Sequence, residues 1–348
     1  MAVKTVAPKR LASNHGRVAE LPVIDLSSDS NQLRAALREV AHEVGFFYLT
    51  GHGVSPQLVH EVLSAARKLF ALSEADKEAI AMARSPHFRG FTRLGGELTG
   101  GLTDWREQID VGPERAASPT ADGRDYMWLQ GPNQWPAAVP ELRPALESWD
   151  IALAEVGRKL LREWAIALGS DGAVFSEAFG DKPATLIKVI RYPPDGTTSQ
   201  GVGAHRDSGV LTLLLTEPEV GGLQVEVDGA WLEAPGREGA FIVNIGELLE
   251  RASGGYLRAT RHRVTLTGAP GFRSRISSTP GWMPASGVGA AARTAGPGAW
   301  GERRSGRSDS CHVRRERLEE PVAGAPRCRR GAWASRQLAI PRIAPANR

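Results

Sequence analysis

His205-Arg206-Asp207, then His262 in Arg-His-Arg-Val, then Arg275 and Ser277 in Arg-Ile-Ser, are the residues of this chain whose types and order could do chemistry. Two imidazoles and one carboxylate can occupy one face of an octahedral ion, the arrangement that holds non-haem Fe(II) and leaves other positions open for a co-substrate and O2. Side chains alternate along a strand, so His205 and Asp207 can reach one ion while Arg206 points away. His262 lies 55 positions after Asp207 and must come from a neighbouring strand, with room for hairpins between them. Alone, His-x-Asp reads equally well as a solvated loop pair or a hydrogen-bonded couple. Its place between a Gly/Ser-rich turn (TTSQGVGA) and an apolar strand (VLTLLLT), with a second His and Arg-x-Ser following, favours the metal.

Arg275 has the planar fork that pairs bidentately with a carboxylate, and Ser277, two residues on, could add a hydrogen bond from the same strand face. A carboxylate-bearing co-substrate is the matching ligand; a surface arginine is the alternative. Tyr192, in Arg-Tyr-Pro-Pro, either lines the pocket or is a core tyrosine. His52, His60 and His87 have no partner at ligand spacing and read as structural.

These residues need a scaffold. LPVIDL (residues 21–26) reads as a strand entering the fold, followed by a helix with Leu33, Leu37, Val40 and Val44 on one face. FFYLT (46–50) is strand-like, Ser55-Pro56 caps and starts a helix running to about Leu72, and Ser73 with Asp76 resembles a capping box. Residues 84–137 are rich in Gly, Pro and Asp and read as loops and short pieces. A long amphipathic helix is expected from about Glu141, with Gly169 near its C-terminal cap. From Leu186 the period becomes that of strands: LIKVIRY, GVLTLLLT, GLQVEV, AWLEA, AFIVNI and HRVTLT suggest a sandwich or barrel. The fold class is thus mainly β with flanking α.

Composition narrows the function classes. An apolar fraction of 41% supports a sizeable core. The formal charge of +4 is unevenly spread: residues 278–348 hold 13 Arg, no Lys and 5 acidic residues, which leaves 1–277 net acidic. The body therefore lacks a nucleic-acid footprint. Both cysteines, Cys311 and Cys328, lie in that last segment, so a disulfide framework or thiolate site in the body is excluded. No secretory h-region and no long apolar span is visible, and a soluble cytoplasmic protein without membrane or nucleic-acid partners is the expectation. After Ser277 the sequence turns to Arg, Gly, Ala, Pro and Ser without periodicity, yet with Trp282, Trp300 and Trp333. Low-complexity disorder is one reading. Translation of a GC-rich gene in a shifted frame fits the Trp and Cys residues better, and the nucleotide sequence tests it.

The ordered segments LPVIDL, GFFYLTGHGV, IRYPP, GAHRDSGVLTLLL, GGLQVE, AFIVNIGELLERASGG, RATRHRV and RIS resemble the isopenicillin N synthase-like branch of the Fe(II)/2-oxoglutarate-dependent dioxygenases over about residues 20–277. SPHFRGFTR, DWREQIDVGPE and GPNQWP further resemble a bacterial group described as 2-oxobutyrate-oxidase-like or ethylene-forming-enzyme-like. The resemblance implies a double-stranded β-helix (jelly roll) core at 151–277, an N-terminal region of helices and loops at 20–150, and an off-pattern tail at 278–348. It implies that His205, Asp207 and His262 bind Fe(II), that Arg275 and Ser277 hold the distal carboxylate of 2-oxoglutarate, and that Tyr192 sits in the pocket. The partners would be a small organic substrate and O2, the substrate being oxidised as 2-oxoglutarate is decarboxylated. Two departures stand out: plant members often carry Asn where this chain has Ile190, and the apolar run, strand and helix that follow Arg-x-Ser in the family are replaced by STPGWMPASGVG. Rival readings are a same-fold oxidase that does not use 2-oxoglutarate and a non-catalytic remnant of a disrupted gene.

Overall fold

The computed structural model describes residues 20–117, 129–175, 183–193 and 200–266, and the backbone of 273–280. The tail beyond 280, and with it the shifted-frame expectation, lies outside the described residues.

The N-terminal part is a helical layer on a sheet. Strand β1 (Val23–Asp25) runs parallel to β2 (Phe46–Thr50), and between them comes α1 (Ser30–Glu43). Asp29 caps α1 by accepting from the Asn31 amide at 2.9 Å, and Leu33, Leu37, Val40 and Ala41 form its buried face. Ser55 and Pro56 open α2 (Pro56–Phe70) as expected, and Ser73 caps α3 (Glu74–Ala79) through the Asp76 amide at 3.1 Å. The long helix, α4 (Leu142–Ala167), packs against α1 and α2 and ends before Gly169, whose φ of 80° only glycine takes readily. The division expected between residues 150 and 151 falls inside this helix. One continuous amphipathic face, from Leu142 through Trp149 to Trp164, ties both sides of that division to the same core.

From residue 185 the chain alternates between two sheets. β7 (Thr185–Tyr192), β9 (Leu211–Thr216), β12 (Phe241–Ile245) and β14 (Arg273–Pro280), with β3 (Gly90–Thr92) and β6 (Glu107–Val111), join an eight-stranded sheet of order β1-β2-β12-β9-β14-β7-β6-β3. The intervening β8 (Gln200–His205), β10 (Leu223–Val227), β11 (Ala230–Glu233) and β13 (His262–Thr265) form a four-stranded sheet of order β11-β10-β13-β8. This repeated crossing between facing sheets is the expected jelly roll. Period two assigns each strand residue to a layer. Leu211, Leu213 and Leu215 of β9 and Phe241, Val243 and Ile245 of β12 join the core beneath the helices. Ile242, with Phe46, Tyr48, Ile190, Val202, Val225 and Val264, fills the second core between the sheets.

Two findings add to the sequence reading. The short pieces expected among the loops of 84–137 are β3 (Gly90–Thr92), a hairpin of β4 (Leu98–Thr99) and β5 (Leu102–Thr103), and β6 (Glu107–Val111). β6 is buried along its whole length and pairs with β7, although its sequence, EQIDV, carries two carboxylates. Its charges have partners remote in sequence, one of them, Lys77, fully buried, which a local reading cannot see. Secondly, β14 continues three residues past Ser277, pairing Ser278 with Ile187 and Leu213. It lies between β7 and β9, so the strand that carries Arg-x-Ser joins the two halves of the large sheet.

Candidate metal centre

His205 is the last residue of β8 and His262 the first of β13, and the antiparallel register sets them directly opposite each other. Their ring centroids are 4.3 Å apart. Asp207 follows β8 by two residues, and its Oδ1 lies 3.5 Å from His205 Nε2 and 3.6 Å from His262 Nε2. The three donor atoms fall within 4.8 Å of one another, the one such cluster among the described residues. Donor atoms on one face of an octahedral ion with bonds of about 2.1 Å stand about 3 Å apart, so the two His–Asp separations would close by about half an ångström and the imidazole pair, within 4.8 Å, by up to roughly 2 Å.

Each ligand is oriented by its second polar atom. His205 Nδ1 lies 2.8 Å from the Gly203 carbonyl and His262 Nδ1 3.1 Å from the Thr260 carbonyl. A carbonyl can only accept, so each Nδ1 carries a hydrogen and it is each Nε2 that faces the centre, where a metal would take the place of its proton. Asp207 Oδ2 accepts from Thr212 Oγ1 at 2.5 Å and from Asn244 Nδ2 at 2.9 Å, which leaves Oδ1 to the imidazoles. The Asp207 carbonyl accepts the Glu247 amide at 2.8 Å, at the start of α5 (Glu247–Ala252). That approach needs Gly246, where a Cβ would come within 2.1 Å of the Gly209 carbonyl. Sequence reasoning misses Thr212 and Asn244. The available signal is a polar residue at an inward parity in otherwise apolar LTLLLT and AFIVNI.

Burial alone would raise Asp207, but its hydrogen bond to His205, the charge of His262 and the bonds from Asn244 and Thr212 hold it far below the usual carboxylate range. Burial would lower His205, yet its contact with Asp207 and the Gly203 carbonyl place it above the ordinary imidazole value. A metal must take Nε2 without a proton, so a raised value lets protons compete at higher pH. Fe(II) affinity is therefore expected to be flat at alkaline pH and to fall from above pH ~6.5, the free imidazole value. Competition titrations across that window check this; affinity unchanged down to about pH 6 would contradict it.

Strand β8 is held by the hairpin of β4 and β5. Asp104 is fully buried and accepts from Thr99 Oγ1 at 2.7 Å, from the Gly203 amide at 3.2 Å and from Gln200 Nε2 at 3.3 Å. Gly203 thus links Asp104 on one side to His205 on the other. Tyr192 is buried in the second core, and its ring lies so close over β8 that a Cβ at Gly201 would be 3.1 Å from it. The backbone register sets Arg275 beside Ile190 and Thr216, and Ser277 beside Lys188 and Leu214. His52 stacks on Phe241 at 4.1 Å and donates to or accepts from backbone groups, the structural use expected of it. His60 lies on exposed helix surface and His87 is buried against Gly131; neither joins the cluster.

Comparison with known proteins agrees with this geometry. Residues 21–138 match the family model described as non-haem dioxygenase in morphine synthesis N-terminal, and residues 184–280 match the 2OG-Fe(II) oxygenase superfamily. The chain is 36% identical over 237 residues to a homoarginine-6-hydroxylase, 2-ODD-C23 of Glycine max, a match covering 66% of this chain and 71% of the relative. Among solved structures, JOX2 in complex with 2OG, Fe and JA superposes with a TM-score of 0.63 at 27% identity, over 75% of each chain. A 2OG-Fe(II) oxygenase family protein from Caulobacter crescentus superposes with the same TM-score of 0.63 at 25% identity, over 76% of this chain and 87% of that one.

Proposed function

The chain belongs to the 2OG-Fe(II) oxygenase superfamily, in its isopenicillin N synthase-like branch, and from that premise we propose that His205, Asp207 and His262 hold the iron while Arg275 and Ser277 hold the distal carboxylate of 2-oxoglutarate. The protein is an Fe(II)/2-oxoglutarate-dependent dioxygenase: it couples oxidative decarboxylation of 2-oxoglutarate to oxidation of a small organic substrate by O2. The observation that carries the residue assignment is the convergence of two Nε2 atoms and Asp207 Oδ1 on one point, each with its second polar atom already engaged by the protein.

Bound iron supplies the O2 and electron-transfer chemistry; the protein positions and excludes water. Thr212 and Asn244 keep Asp207 turned inward. Arg275, on β14 beside β7 and β9, anchors the co-substrate's far end, and Tyr192 walls the pocket on the side of β8. Homoarginine is the first substrate to try, because the Glycine max relative is named for hydroxylating it. With purified full-length chain, succinate is expected to form only when Fe(II), 2-oxoglutarate and O2 are all present, and faster with a true substrate. Iron-loaded protein that oxidises a substrate without succinate would point to an oxidase of the same fold. Protein that neither holds iron nor turns over would support the remnant reading.

A further inference from the structure

Thr216 carries a hydroxyl that the protein itself does not use. The residue is 3% exposed, and its Oγ1 has no hydrogen-bond partner. A buried hydroxyl without a partner has lost its water and gained nothing for it, and valine would fill the same volume without that cost. The position of this hydroxyl points to its use. On β9, the layer opposite the helices is taken by Thr212, which bonds Asp207, and by Leu214, which packs against the second core. Thr216 is the next residue of that parity. It is also the register partner of Arg275, whose other neighbour is Ile190.

We propose that Thr216 is a third donor to the distal carboxylate of 2-oxoglutarate, beside Arg275 and Ser277. The inference rests on the function proposed above and extends it to a residue outside the Arg-x-Ser motif. A carboxylate offers about four acceptor sites. A guanidinium fork and one serine hydroxyl fill three of them, and a further O–H donor is the group the remaining site accepts. Of the two positions flanking 275, Ile190 has nothing to donate, whereas Thr216 has an uncommitted proton. Lys188, registered with Ser277, is no substitute, because its Nζ is already paired with Asp110. Directly paired residues on neighbouring antiparallel strands have Cα atoms about 5 Å apart, so Thr216 and Arg275 can share one carboxylate.

The test is anaerobic titration of the full-length, Fe(II)-loaded protein with 2-oxoglutarate, following the visible charge-transfer band, in wild type, Thr216→Val and Thr216→Ser. Loss of a hydrogen bond to a charged group should raise the Kd of the valine variant about 10-fold or more, while serine stays near wild type. The thermal midpoint of the metal-free valine variant should be unchanged or raised, since the lost hydroxyl had no partner; a purely structural role would lower it. Wild-type affinity in Thr216→Val, equal weakening in Thr216→Ser, or a fall in the metal-free midpoint would each overturn the proposal. Failure of the underlying function reads differently: the wild type itself would then show no saturable band.

Discussion

His262→Ala is expected to weaken Fe(II) binding at least about 100-fold and to take 2-oxoglutarate-dependent succinate formation below detection. Structural metal sites with four ligands bind with roughly 10–16 kcal/mol, or about 2.5–4 kcal/mol per ligand, which is a factor of roughly a hundred to a thousand. Here the loss is from three ligands, and the remaining pair, His205 and Asp207, comes from one end of one strand. Nothing would then bridge the facing strands through the metal. His262 is also 7% exposed, with the Phe46 ring edge-on at 5.0 Å, so truncation opens space in the core. His262→Gln, which keeps most of the volume, separates the two effects: it should lose iron with little change in the metal-free melting midpoint. Chelator competition gives the affinity. Iron-dependent turnover surviving in both variants would show that the ligand set is wrong.

The triad is legible because it is written in spacing. His205 and Asp207 share a parity at a strand end, and the strands that separate them from His262 announce themselves by period two. Register is not legible. That His262 stands opposite His205, or that Thr216 stands beside Arg275, depends on which strands pair, and nothing local in VLTLLLT or RHRVT fixes it. The polar residues around the ligands are harder still. Asn244 and Thr212 have ordinary side chains in apolar runs, and only the folded sheet turns both toward Asp207. The long helix is readable nearly to its ends, because its apolar face repeats over seven turns, but that same regularity hides the fact that it belongs to both halves of the chain. Strand β6 escapes for the opposite reason. Its charges look like loop until their partners are known, and those partners, Lys77, Lys188 and Arg191, lie on an early helix and a later strand.

That hidden strand carries the largest expected effect on stability. Glu107 is 3% exposed, and its Oε2 accepts from Lys77 Nζ at 3.1 Å, itself on a residue 2% exposed. Arg191 Nε reaches Oε1 at 2.5 Å, off the line of a hydrogen bond, so that contact works through charge. One carboxylate on β6 thus contacts a cation from α3 and another from β7, pinning the helical layer to the large sheet. Glu107→Ala would leave Lys77 buried with only Glu74, an exposed residue, for company. Breaking a buried pair from one side typically costs about 3–5 kcal/mol, and Glu74, on the solvent side, compensates the buried ammonium only in part. For a domain of this size each kcal/mol is worth roughly 2–4 °C, so a fall of roughly 6–20 °C in the melting midpoint is expected. The same logic predicts a rescue. Lys77→Met added to Glu107→Leu removes the buried ammonium together with its partner, and should recover most of the loss. Arg191, with its guanidinium 5.8 Å from the Phe70 ring and partly exposed, can still find solvent. If Glu107→Ala melts within a degree or two of wild type, the pair is a bystander and apolar packing alone holds β6 in the sheet. If it melts far lower and the double variant does not recover, the carboxylate is needed for its own sake, and the charge argument is the part that fails.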